Sequence, residues 1–174
     1  KSLKIDNAKI EVLVIDDGST DRTVAIAQEK GVEIISHNTN KGVGAAIQTA
    51  INHAIFQKTD ILVNIDSDGQ FDPSHIPKLV APILKKNAEF VTASRFIDGS
   101  KINMPKVKRW GNKRVAKLVS RLSKQRIHDV SCGFRAYSRK SLLNLSLIGD
   151  FTYTHESILI LAFKGIAIKE VAVP

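Results

Sequence analysis

The feature that most constrains this chain is an alternation: apolar runs of strand length are each followed by a stretch of helical period. Glu11–Ile15 reads as a strand that stops at Asp16-Asp17-Gly18. Ser19-Thr20-Asp21 then supplies an N-cap for a helix through about Glu29, with Val24, Ile26 and Ala27 turned inward. Gly31 ends that helix, and Val32–Ser36 is a second strand. From Gly42 to Phe56 the residues Ala46, Ile47, Ala50, Ile51, Ala54 and Ile55 form one helical stripe. Ile61–Ile65 is a third strand, and Pro73 stands in the first turn of a helix reaching about Lys86. Phe90–Ala93 is a fourth strand. Beyond it the pattern predicts a helix over 107–124, a short strand near Phe134–Tyr137, a helix near His155–Phe163 and a last strand, Ile166–Val173. Such spacing predicts an α/β fold, a mostly parallel sheet with helices on both faces. Ligands in these sheets gather at the carboxyl ends of the strands, where both aspartate clusters of this chain fall.

The 174 residues suffice for one domain with its own core, 1–174, and not for two. The chain opens just ahead of a central-looking strand and stops at Val173-Pro174 without a closing element, so the domain reads as truncated at both ends. A charged fraction of 25% and a mean hydropathy of −0.05 exclude a disordered tail and a membrane span. The longest apolar runs are too short to cross a bilayer, and no signal peptide opens the chain. A single Cys132 excludes a disulfide framework and a multi-cysteine zinc site. The net charge of +9 is concentrated: residues 101–140 hold 13 of the 26 basic residues and one acid, Asp129. That window sums to +12 and the rest of the chain to −3, which predicts an anionic partner for one region only.

Asp66, Asp68 and Gln70 stand at i, i+2 and i+4 as a strand becomes a loop, so an extended backbone would aim all three the same way. Two carboxylates and an amide oxygen are hard donors suited to Mg²⁺ or Mn²⁺ holding substrate phosphates. An EF-hand is excluded, because the glycine is fourth in the loop and the twelfth position is Pro77. The bland alternative is an Asx-rich turn capping the next helix. Asp16-Asp17-Gly18-Ser19 has three readings: a turn with an N-cap, the acidic pair of a phosphorylation receiver, or carboxylates that accept hydrogen bonds from a nucleobase or ribose. The Asp66–Gln70 loop and the lack of a later lysine at a strand end count against the receiver.

Taken in order, DDGSTD (16–21), NKGVGAAI (40–47), NIDSDGQFDP (64–73), TASRF (92–96), DVSCGFR (129–135) and the closing GIAIKEVAVP (165–174) resemble the family 2 glycosyltransferases. Within them the chain is most similar to the dolichyl- and polyprenyl-phosphate sugar transferases. The resemblance implies a GT-A, Rossmann-like fold, a nucleotide-sugar donor (UDP- or GDP-sugar), a divalent metal (Mg²⁺ or Mn²⁺) and inversion at the anomeric carbon. It implies that Asp16, Asp17 and Ser19 line the nucleotide, that Asp66, Asp68 and Gln70 hold the metal, and that Asp66 thereby reaches the diphosphate. Asp68 and Arg95 would carry catalysis, and Arg95, Ser131 and Arg135 would face the acceptor phosphate. Lys41 is a further nucleotide-side candidate, although the family lysine lies two positions further on; a helix-opening glycine loop explains the same residues. The family's first strand has no counterpart here.

A lipid phosphate acceptor is largely dianionic at neutral pH and needs no general base. A sugar-hydroxyl acceptor would need one, and Glu156, His155 and Asp150 are the candidates; for Glu156 the alternative is an acid favoured at a helix N-terminus. Lys113, Lys117, Arg121 and Lys124 form a basic stripe, with Val107, Trp110, Val115, Leu118, Val119 and Leu122 on the apolar side. Residues 106–124 therefore suit an anionic membrane surface, placed by the resemblance on the cytoplasmic side, or else an ordinary solvated helix face. Lys106, Lys108 and Arg109 are additional candidates for acceptor-phosphate contacts. Nucleic acid is not the expected partner, since the segment has one aromatic residue and no reader motif. The rival outside enzymes is a non-catalytic phosphate-binding or nucleic-acid-binding module.

Overall fold

The computed structural model describes Ile5 and residues 8–97, 106–148 and 153–173. Along the chain run β1 (Leu13–Asp16), α1 (Thr23–Glu29), β2 (Glu33–Ser36), α2 (Val43–Phe56), β3 (Ile61–Asn64), a 3₁₀ turn (Pro73–His75) and α3 (Ile76–Leu84). Then follow β4 (Phe90–Ser94), α4 (Lys106–Ser123), β5 (Arg135–Ser138), α5 (Arg139–Asn144), α6 (Tyr153–Phe163) and β6 (Ile168–Ala172). The expected alternation is present. One helix, α5, has no counterpart in the sequence reading: at six residues it is too short to show a period, and it is nucleated by Ser138, whose hydroxyl accepts the Ser141 N–H. The helix after Asp66 begins with the 3₁₀ turn, where Asp72 accepts the Ser74 N–H and Pro73 occupies the first position.

The strands form a parallel pair, β1-β2, and a four-stranded sheet in the order β3-β5-β4-β6. β4 and β6 are parallel, as the alternation requires, whereas β5 is antiparallel to both β3 and β4. The chain leaves α4, crosses the carboxyl ends of β3 and β4, and only then enters the sheet, so β5 has to run back through it. That reversal lays residues 127–134 across the end of the sheet where the aspartates lie.

Side chains alternate across the sheet and build a core on each face. Phe90 and Tyr137 point to one side, where α2, α4, α5 and α6 contribute Ile51, Val119, Leu142 and Ile158. Val91, Ala93, Phe134 and Ala136 point to the other, under Leu79 and Ile83 of α3. Both faces are thus covered. On α1, in contrast, only Ala27 is buried, and Ile26, expected inward, is 49% exposed. The small β1-β2 pair gives α1 too little apolar surface to cover more. On α4 the inward residues are Ala116, Val119 and Ser123, while Val107, Trp110, Val115, Leu118 and Leu122 remain exposed. Most of its apolar side therefore lies on the surface. Among the described residues no helix is long and apolar enough to cross a membrane.

Candidate active site

The first aspartate pair organises backbone. Asp16 is buried at the end of β1 and accepts the Ser19 N–H at 3.1 Å. Hydrogen bonds from Ser19, with others from Ser36 and Gly18, hold its carboxyl below the ordinary range. Asp17 accepts the N–H groups of Lys41 at 2.9 Å and Gly42 at 2.7 Å, together with His37 Nδ1 at 2.7 Å. Burial pushes the Asp17 carboxyl up, but these donors outweigh it and hold the group below the usual carboxylate range. Asp16 holds the Ser19 turn, while Asp17 closes the 37–42 segment against the end of β1. That segment lies so close that a Cβ on Gly18, whose φ is +76°, would come within 2.8 Å of the Asn40 nitrogen. Both Asp17 oxygens are thus engaged within the chain, while Ser19 and the side chain of Lys41 lie exposed at its rim. What Lys41 contributes here is its backbone N–H. His37 was absent from the sequence reading; its ring sits between Asp17 and Thr49 Oγ1, the latter 2.9 Å from Nε2.

Asp66 follows β3 and is partly buried, whereas Asp68 and Gln70 are exposed. The backbone turns at Ser67–Gly69, so the extended geometry assumed from the i, i+2, i+4 spacing does not continue past Asp66. The turn is held by Asp68 Oδ1, which accepts the Gln70 N–H at 3.0 Å. It brings the Asp68 charge near Asp66: burial first, and then Asp68, push the Asp66 carboxyl above its ordinary range, with Arg135 opposing. Neither carboxylate forms an ion pair among the described residues. A partly buried carboxylate and an exposed one, neither in an ion pair, are hard oxygen donors that fit a divalent cation. No group of three or more His, Cys, Asp or Glu is assembled for a metal among the described residues.

Across the same sheet end, Arg95 extends from β4 into a bidentate pair with Asp129, Nε to Oδ2 at 2.7 Å and a terminal nitrogen to Oδ1 at 3.0 Å. The same nitrogen donates to Ser131 Oγ at 2.9 Å. The pairing raises the Arg95 pKa further, so its charge is permanent. Asp129 is fully buried, and its own N–H and that of His128 are held by Glu170 of β6 at 2.9 Å, with His128 Nδ1 on the same carboxylate at 2.6 Å. Asp129 and Glu170 belong to strings quoted above without a role. The signal for Asp129 was its being the sole acid in the basic window; Glu170, 41 residues away, had none.

Arg135 lies elsewhere than expected. It is the first residue of β5 and fully buried, and its guanidinium donates to the Cys132 and Val130 carbonyls and to Ser157 Oγ. It is therefore a strut beneath the 129–134 loop rather than a group on its surface. Glu156 accepts the Ile148 N–H at 2.6 Å and so tethers the preceding loop to α6. His155 is held below the usual imidazole range by burial and by Arg135. Asp150 lies outside the described residues, as do the side chains of Lys106, Lys108 and Arg109. Cys132 is buried in the loop, and desolvation first, then Asp129, push its thiol up to about 11. At pH 8 the native thiol is therefore almost wholly protonated, and alkylation by iodoacetamide is expected to run on the order of 100-fold slower than in urea. Mass spectrometry of timed aliquots checks this; equal rates would contradict it.

The loop formed by residues 128–134 thus joins the two halves of the site, touching Arg95 at one end and the Asp66 region at the other. A dolichyl-phosphate N-acetylglucosaminyltransferase of Methanococcus voltae that uses UDP-N-acetylglucosamine is 33% identical over 153 residues, covering 78% of this chain and 61% of the relative. A dolichyl-phosphate hexose transferase of Haloferax volcanii is 29% identical over 98% of this chain and 72% of its own length. Among solved structures, glucosyl-3-phosphoglycerate synthase of Mycobacterium tuberculosis, in complex with Mn²⁺, UDP and glucosyl-3-phosphoglycerate, superposes with a TM-score of 0.70. It is 25% identical, and the match covers 97% of this chain and 61% of that one. The mixed sheet with helices on both faces is the GT-A fold of these neighbours. Residues 2–145 match the profile of glycosyl transferase family 2, and with most of its length accounted for in this way, the chain belongs to that family.

Proposed function

We propose that the chain is the catalytic core of an enzyme that transfers a sugar, with inversion, from a UDP- or GDP-sugar to a polyprenyl phosphate at the cytoplasmic face of a membrane. The observation that carries this reading is the 128–134 loop, which binds a permanently charged Arg95 through Asp129 at one end and lies against Asp66 through Gly133 at the other, on one end of the sheet. Two relatives named for dolichyl-phosphate acceptors support the acceptor class. Asp66 and Asp68, with Gln70 at the rim, would hold the divalent metal, which when bound neutralises charge on the departing nucleoside diphosphate. Ser19, Lys41, the turn held by Asp16 and the segment closed by Asp17 would flank the nucleotide. Arg95 and Ser131 would hold the acceptor phosphate, already dianionic at neutral pH, in line for attack. Arg135 would act by supporting the loop from below. Glu156, engaged with Ile148, is not needed as a base for this acceptor.

The outer face of α4 fits the same reading. Trp110, Leu118 and Leu122 are exposed among Lys113, Lys117 and Arg121, and the Arg114 guanidinium lies 4.1 Å from the Trp110 ring centroid. An apolar ridge edged by cations suits the interface of an anionic bilayer. β1 and β3 each have a strand partner on one side only among the described residues.

The test is incubation with radiolabelled UDP- and GDP-sugars, Mn²⁺ and polyprenyl phosphate in vesicles containing phosphatidylglycerol. The expected product is a sugar-phospho-lipid cleaved by mild acid, formed only with metal. An acid-stable glycosidic product would favour the hydroxyl acceptor. Binding without turnover, or turnover independent of metal, would overturn the proposal.

A further inference from the structure

Gly133 occupies the point where the acceptor-side loop meets the metal-side carboxylate. Its φ is not in the left-handed region, so backbone conformation does not call for glycine here. Space does. A Cβ at this position would overlap Asp66 Oδ2 and would lie 2.8 Å from the Tyr153 hydroxyl, itself on the buried first residue of α6. The approach is also pinned from the other side, because Asn64 at the end of β3 donates its amide to the Gly133 carbonyl at 2.7 Å. Asn64 and Asp66 are two residues apart on one strand end, so a single short segment both holds the loop and carries the carboxylate. The loop lies against that carboxylate as a flat surface, and Tyr153 lines the same gap.

From this geometry we infer that Gly133 and Asn64 are positioning residues for Asp66: bare backbone at 133, anchored by the Asn64 amide, fixes the orientation in which the Asp66 carboxylate presents itself to a divalent cation. This rests on the metal-dependent reading above and adds to it residues that touch neither metal nor sugar. Outer residues that orient a metal-binding carboxylate commonly change affinity by about 10–100-fold when altered.

Mn²⁺ titration of the full chain in the presence of UDP, followed by electron paramagnetic resonance of the free ion, tests the inference. Gly133→Ala is expected to raise the Mn²⁺ dissociation constant by about 10-fold or more. Asn64→Ala, which adds no atoms and removes only the anchor, is expected to raise it by about 10-fold, the lower end of such effects. Affinity for UDP without metal is expected to be unchanged in both, which a merely unfolded or loosened protein would not give. If Gly133→Ala fails to fold, Asn64→Ala decides alone. Folded variants with unaltered Mn²⁺ affinity would overturn this inference and leave the proposed function standing. Failure of the unsubstituted chain to bind Mn²⁺ would overturn both.

Discussion

Asp129→Ala is expected to lower the melting temperature by on the order of 10 °C and sugar transfer by about 100-fold. Asp129 has no exposed surface, and its carboxylate is shared by Arg95 Nε, an Arg95 terminal nitrogen and the Ser131 N–H and hydroxyl. Removing one partner of a buried ion pair leaves the other uncompensated and typically costs about 3–5 kcal/mol. For a chain of this size each kcal/mol moves the melting temperature by roughly 2–4 °C. The activity loss has a separate cause. Without Asp129 the Arg95 guanidinium loses its bidentate partner, and if Arg95 holds the acceptor phosphate as proposed, a displacement near ~1 Å costs about 100-fold. Asp129→Asn keeps one acceptor of similar shape and should fall between the two. Thermal melts and initial rates measured on the same preparations check this; a melting temperature within 2 °C or so of the unsubstituted chain would contradict the buried-pair argument.

The second large effect has opposite signs for stability and activity. Asp66→Asn is expected to stabilise the metal-free chain at neutral pH while lowering metal-dependent transfer by at least ~10²–10³-fold, the scale of removing one group that stabilises developing charge. The Asp66 carboxyl is raised by burial and by Asp68. A carboxyl whose native pKa lies above its unfolded value destabilises the fold once pH exceeds both values, and the penalty fades as pH falls below them. The variant should therefore melt higher than the unsubstituted chain at pH 7, and the gap should close toward the acid range. Mn²⁺ should reverse the order, because a ligand at 100 times its dissociation constant adds about 2.7 kcal/mol to the protein that binds it. Asp68→Ala should lose transfer to a similar degree. A metal-free Asp66→Asn chain that melts lower at pH 7 would sink the electrostatic account, and full transfer by either variant would sink the catalytic one.

The candidate site was legible to different depths in its different parts. The Asp66–Gln70 cluster stood out because its residue types and its place after a strand are both local properties. Asp16 and Asp17 stood out equally, yet their carboxylates turn out to hold the Ser19 turn and the 40–42 backbone. Composition cannot tell a carboxylate that faces a ligand from one that closes a loop. Arg135 was expected at the loop surface from its place in a motif. Its burial follows from being the first residue of a central strand, with Ser157 and two carbonyls arranged around it. On α4 the sequence predicted the basic stripe and the apolar residues and left open whether the latter face the core or the surface; five of them are exposed.

What the sequence determined alone was the order of strands and helices apart from α5, the placement of both aspartate pairs at strand ends, and the concentration of positive charge in one window. Each follows from periodicity and residue type over a few neighbouring positions. What only the tertiary structure decided was the assembly of the site: β5 running against its neighbours, the loop it draws across the sheet, and the contacts Glu170–Asp129, Asp129–Arg95, Asn64–Gly133 and Gly133–Asp66. Those contacts join residues 34 to 69 positions apart. They depend on strand order and on how closely two backbones approach, and a local pattern of polar and apolar residues encodes neither.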